Sequence, residues 1–259
     1  SIFNFWTCNI GENITSSFPK SVTVFGVKIL ATETTGDAKV LHAAKVLAQY
    51  LDNDENGKVD NQDVVDKLIS VGATLVMFKD EDEADNFDYD GPHLNHAQGL
   101  FDYETIPSFN KNSTNSRFDA SLEEVLHLVT HEGYSQIYPD LKEKKGSAIA
   151  NAMDKARGGY FINPPQIYPI GSWYSYDDET CTYDCMITEY FYWALTSMLG
   201  GQAYAGRLNE IGHEWKLNTL EKVKTGDPDV YSILSDPEYK LPTVLPDAEY
   251  NGFTITLDK

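Results

Sequence analysis

The chain has 259 residues, 41% of them hydrophobic and 12% aromatic, enough to bury a core in one large domain or two small ones. Forty acidic residues against twenty basic ones leave a formal charge of −20. Nucleic acid and anionic membrane surfaces need clustered Lys and Arg and do not fit this balance; a cation or a cationic polymer fits better. No run approaches the roughly 18–20 continuous apolar residues that cross a bilayer, so no membrane insertion is expected.

In chain order, the β-branched stretch 21–31 predicts one strand. Asp37 is placed to start a helix whose apolar positions Val40, Leu41, Ala44, Leu47, Ala48 and Leu51 recur at helical spacing. His42 on that helix reads as structural. A loop over 52–63 leads to a second helix, about 61–70, ended by Gly72, and then to a buried strand over 73–78. Seven acids crowd residues 80–90. They read as a solvated loop or as an irregular second cation site near Asp85, Asp88 and Asp90. Residues 80–117 otherwise read as irregular, with an edge strand near 99–105. The second half predicts helices at about 119–138, 142–157, 185–199, 202–222 and 228–235, a long Pro-, Tyr- and Asp-rich loop at 159–184, and a last strand at 252–257. The fold class expected is α+β. An N-terminal mixed sheet with helices precedes a mainly helical second half, in a single domain over 1–259 with subdomains about 1–138 and 139–259.

The loop carries the clearest chemistry. Asp52, Asp54, Asn56, Asp60 and Asp63 place side-chain oxygens at positions 1, 3, 5, 9 and 12 of a twelve-residue window, with Gly57 at the sixth place and Val59 at the eighth. This resembles the calcium loop of an EF-hand, in which position 7, here Lys58, contributes its backbone carbonyl. The resemblance implies calcium as a cofactor. Position 12 is Asp instead of Glu, and its shorter side chain reaches less easily for bidentate binding, implying a weaker or more magnesium-tolerant site. Only one such loop is present, so it reads as a fixed elbow between two helices. The bland alternative is an Asp/Asn/Gly-rich surface turn.

Three cysteines, Cys8, Cys181 and Cys185, leave at least one unpaired within the chain. Cys181 and Cys185 could bridge each other, Cys8 could staple the N-terminus to that region, and zinc ligation is the weaker option. Asn13-Ile-Thr and Asn112-Ser-Thr fit glycosylation acceptors. With the acidity, the calcium loop and a start at Ser1 like that of a processed mature protein, these features lead us to expect a secreted glycoprotein.

Residues 119–138 carry the second candidate site. Ser121 with Glu124 reads as a capping box. At about 100° per residue, Glu124, His127, His131, Tyr134 and Tyr138 fall on one polar and aromatic stripe of an otherwise apolar helix. Two imidazoles at i and i+4 suit one metal ion, with Glu189, on a strongly aromatic helix, as the third ligand. Thr130-His131-Glu132-Gly133-Tyr134-Ser135 is similar to the start of the zincin metallopeptidase signature, His-Glu-x-x-His on a helix. That resemblance implies zinc, a zincin-like second half and a downstream Glu ligand, the place Glu189 would fill. Ser135 stands where the second zinc His of the family belongs, and His127 is one turn earlier instead. Three outcomes remain open: a metal site rebuilt from His127, His131 and Glu189, a zincin-like fold without activity, or two structural histidines.

If active, the chain would hydrolyse a peptide bond. The metal would activate water, Glu132 or Glu124 would take the proton, and Tyr134 or Tyr138 would donate to the oxyanion. The rivals are a non-catalytic extracellular calcium-binding adhesion or matrix protein and an enzyme of unrelated chemistry using an aromatic pocket. Weaker candidates are His93 with His96, His213 with Glu214, and a calcium-lined loop at Asp177, Asp178, Glu179 and Asp184.

Overall fold

A computed structural model describes residues 17–89, 91 and 94–259. The expectations placed on Cys8, Asn13, Asp90 and His93 lie outside the described residues. The class is α+β, with a mixed four-stranded sheet toward the N-terminus and helices dominating afterwards. The chain divides into two compact units. Among the described residues, the first comprises 17–89, 91, 94–109, 117–133 and 246–259; the second comprises 110–116 and 134–245. Residues 246–259 thus belong with the N-terminal sheet, although they follow the helical half in sequence.

The sheet of the first unit runs in the order β1 (Lys20–Val24), β2 (Val27–Ala31), β3 (Thr74–Phe78), β4 (Ala97–Phe101). β1 and β2 pair antiparallel; β2 with β3 and β3 with β4 pair parallel. The single strand expected over 21–31 is therefore a hairpin. Phe25 (φ 50°) and Gly26 (φ 87°) both enter the left-handed region, as a two-residue turn of matching twist requires. Phe25 hides this turn, because an aromatic residue at positive φ carries no turn signature.

Helices α1 (Asp37–Leu51) and α2 (Gln62–Val71) form the crossover from β2 to β3. α2 starts with the Asn61 side chain accepting from Val64 N–H and stops at Gly72, left-handed at φ 71°. β3 is buried along its whole length, as a central parallel strand covered on both faces should be. Phe18, Leu30, Val76, Phe78 and Phe101 make one core cluster of this unit. The acidic run contains a short helix α3 (Glu81–Asp85), capped by Asp80. Glu83 is tied down by Thr32, Thr34 and the Lys79 N–H, so part of the run is anchored.

The long helix expected over 119–138 is interrupted. α4 (Ser121–Val129) gives way to one turn of π-helix, Thr130–Tyr134, and a short α turn, Ser135–Ile137. The expected capping box is not formed. Ser121 Oγ donates to Asp119, Asp119 also accepts the Ser121 N–H, and Glu124 faces β4 instead.

In the second unit, α5 (Ala148–Arg157) begins only at Ser147, whose hydroxyl caps it. Gly146 at φ 94° breaks the helix expected from 142. α6 (Tyr183–Met198) follows close to expectation. The expected helix 202–222 splits into α7 (Arg207–Ile211) and α8 (Leu220–Gly226). Between them the chain leaves helical geometry to pair Trp215 with Tyr174 and to donate Lys216 N–H to Trp173 carbonyl. α9 (Pro228–Leu234) closes the helical set described here. Tyr174 and Tyr190 each meet Trp215 edge-on and tilt against each other, and Tyr190 hydroxyl and Trp173 indole both donate to buried Asp227. Cys181 and Cys185 are disulfide-bonded. The final expected strand, 252–257, is absent; just beyond it, Asp258 makes an isolated antiparallel bridge with Ser21. Among the described residues no helix is long and apolar enough to cross a membrane.

Candidate cation site and histidine helix

The loop between α1 and α2 gathers acidic side chains. Asp52, Asp54 and Asp60 each present a carboxylate oxygen within 4.8 Å of the others. Asp52 is fully buried at the end of α1, Asp60 is half-buried, and Asp54 faces solvent. Backbone geometry aims them inward. Gly57 at φ 85° makes the sharp turn, which lets Asn56 N–H reach Asp52 Oδ1 at 3.1 Å and Gly57 N–H reach Asp52 Oδ2 at 2.8 Å. Asn53 N–H reaches Asp60 Oδ2 at 2.7 Å, and Asp60 N–H closes on the Leu51 carbonyl at 2.9 Å. The Asn56 amide donates to Asp54 at 2.8 Å and holds that carboxyl below its ordinary range, so it stays ionised.

Three clustered carboxylates repel one another, and a hard divalent cation is the chemical answer to that arrangement. Asn56 is exposed and its carbonyl oxygen accepts Lys58 N–H at 2.9 Å. Asp63 is exposed in the first turn of α2 and is not one of the clustered carboxylates. Sequence reading missed Tyr250, whose hydroxyl donates to Asp52 Oδ2 at 2.6 Å across 198 positions. Burial first, and then this bond, pushes the Tyr250 hydroxyl well above its ordinary range, so it remains a donor at neutral pH. No local sequence signal points to it.

The stripe read from 119–138 is broken by the π turn, which changes the helical phase after Val129. His127 is buried, with Nε2 3.6 Å from Glu123 Oε1 one turn earlier. The His131 side chain is 43% exposed, with Nε2 3.6 Å from Glu132 Oε1. Glu132 is bonded on its other oxygen to His96 Nδ1 at 2.7 Å, a partner from just before β4. Among the described residues, His131 belongs to no set of three metal-ligating groups within 4.8 Å. Glu189 lies buried in the second unit, 3.3 Å from the Tyr176 hydroxyl. Tyr134 hydroxyl donates to the Lys240 carbonyl at 3.1 Å, and Tyr138 stacks on Tyr134.

Glu124 is the most perturbed acid of this helix. Burial pushes its carboxyl up to about 8, and Gln98 Nε2 donates to it at 2.6 Å. At neutral pH it is therefore mostly protonated. His42 pairs with Asp119 at 2.6 Å inside the first unit, a structural contact that ties α1 to the start of α4. His213 is exposed beside Glu214, and Asp178 caps its own turn through Thr180. No protein-family model matches the chain, and no curated protein and no solved structure matches it.

Proposed function

We propose that this chain is a calcium-binding α+β protein whose 52–63 loop holds one divalent cation. The observation that carries this reading is the convergence of the Asp52, Asp54 and Asp60 carboxylates within 4.8 Å, around a glycine-dependent turn and with Asp52 fully buried. Oxygen-only ligands select calcium or magnesium over transition metals. The exposed Asp63 argues for modest affinity, which suits a calcium-rich extracellular setting. The Cys181–Cys185 bond fits an oxidising compartment of the same kind. The cation would hold the elbow between α1 and α2 at one angle, and the working surface of the protein would be non-catalytic.

The test is calorimetric titration of chelator-treated protein with calcium and, separately, magnesium. One calcium per chain is expected, lost in Asp52→Asn and in Asp54→Asn. Equal binding by wild type and both variants refutes the reading.

A metal-dependent hydrolase built on His127, His131 and Glu189 stands second. Both carboxylates assigned as its general base already accept a hydrogen bond, Glu132 from His96 and Glu124 from Gln98. About one zinc per chain, removed by His131→Ala and retained in Asp52→Ala, would promote it.

A further inference from the structure

Residues 246–259 are fastened to the loop by the loop's own acids. Besides the Tyr250 bond to Asp52, Glu55 Oε2 accepts from the Asn251 backbone N–H at 3.1 Å and from its amide at 3.0 Å. Gln49, near the end of α1, donates to Glu55 at 2.6 Å and to Asp247 at 2.8 Å. Its carbonyl oxygen accepts the Asp247 and Ala248 N–H groups at 3.0 and 2.8 Å. A Cβ at Gly57 would stand 3.2 Å from the Gly252 carbonyl oxygen, so the tail lies directly on the turn. Glu55 reaches the tail from φ 56°, a left-handed conformation that disfavours any residue with a Cβ.

The two oxygens of Asp52 have different occupants. Oδ2 takes both the Gly57 N–H and the Tyr250 hydroxyl, whereas Oδ1 takes the Asn56 N–H alone. Two donors on Oδ2 fix the carboxylate plane and leave Oδ1 the freer acceptor. We propose that Tyr250 is a positioning residue of the cation site, and that cation binding and the seating of residues 246–259 on the loop are thermodynamically coupled. The proposal rests on the loop binding a cation, as above. A cation at the three carboxylates removes their mutual repulsion and holds Asp52 and Glu55 where the tail needs them. By reciprocity, a seated tail raises cation affinity by the same factor.

The experiment combines hydrogen exchange with calcium titration on the full chain. Calcium should slow amide exchange in residues 247–252 about ten-fold or more. Tyr250→Phe, which keeps the ring and deletes the donor, should weaken calcium binding about ten-fold, the effect of one hydrogen bond to a charged acceptor. Lys155→Ala, which removes an exposed ion pair with Asp229 in the second unit, should leave calcium affinity unchanged. A purely structural tyrosine would lower the melting temperature equally with and without calcium. A positioning tyrosine lowers the calcium-induced increment. Wild type that binds calcium with unchanged tail exchange, or Tyr250→Phe that binds as tightly as wild type, overturns the proposal while sparing the calcium reading. Wild type that binds no calcium overturns both.

Discussion

The 52–63 loop was the clearer of the two candidate sites in the sequence and the 119–138 helix the second, and they behave differently as structure. In the loop, every expected ligand lies within twelve residues, and a single glycine sets the turn, so short-range geometry delivers Asp52, Asp54 and Asp60 to one point. In the helix, the inference depended on phase carried over many residues. His127 is buried in the regular helix, whereas His131 sits in the π turn at Thr130–Tyr134 with its side chain 43% exposed. A contiguous ligand set tolerates small errors of local structure; a stripe along a helix accumulates them.

The largest effect expected from breaking this comparison is at Asp52. Replacing it with Ala removes the loop's buried carboxylate and strands three donors, the Asn56 and Gly57 N–H groups and the Tyr250 hydroxyl. A cost of about 4 kcal/mol is expected in calcium, from the stranded donors and the lost ligand together. Urea unfolding with calcium and with chelator measures it. The difference between wild type and variant should shrink in chelator, where only the donor term remains. A cost below about 1 kcal/mol in calcium would mean that Asp52 neither binds nor organises.

Glu124 tests the helix by pH. Its folded carboxyl, raised to about 8 from an ordinary 4.5, binds a proton that the unfolded chain releases earlier. The sign follows: this contribution to stability is fully present below about pH 4.5 and is lost as pH rises through about 8. The loss should be on the order of 3 kcal/mol by pH 8, against a flat profile in this window for Glu124→Gln, which keeps an acceptor for Gln98. Unfolding measured at pH 5 and pH 8 for both proteins decides it. Parallel pH profiles would show that another group governs the window.

Gly57→Ala sharpens the loop side. The substitution forces an L-residue to φ 85° and sets a methyl group 3.2 Å from the Gly252 carbonyl. About 1–2 kcal/mol of destabilisation is expected, with weaker calcium binding alongside. Gly72→Ala also forces an L-residue to a positive φ, 71°, but with nothing within 4 Å of its Cβ. It should cost about 1 kcal/mol and leave calcium affinity alone.

What the sequence made legible divides along the same line. The α1–loop–α2 elbow, β3 and α6 came from local periodicity and caps, and those signals lie within a few residues of what they specify. The β1–β2 turn was hidden because Phe25 occupies a conformation its side chain does not advertise. The split at 212–219 was hidden because tertiary pairing with Trp173 and Tyr174 overrode a helical pattern. Ser121 and Glu124 fitted a capping box, but Asp119 and Gln98, both from outside the helix, held them more strongly. Tyr250 on Asp52 and Asp119 on His42 are separated by 198 and 77 positions, and spacing carries no information at that range.

The smallest expected effect separates the two histidines most sharply. On a regular helix His127 and His131 would be neighbours on one face, and replacing either would have similar consequences. Here His127 is buried, whereas the His131 side chain is 43% exposed, with Nε2 3.6 Å from Glu132 Oε1. His131→Ala should therefore cost less than about 0.5 kcal/mol, the range of an exposed charged pair. His127→Ala should cost about 2–3 kcal/mol, as large-to-small changes in a packed interior do. Thermal unfolding at pH 7.5 measures both. If His131→Ala costs as much as His127→Ala, and the excess disappears in chelator, then the surface imidazole is holding a metal that the helical phase of this fold gives no reason to expect.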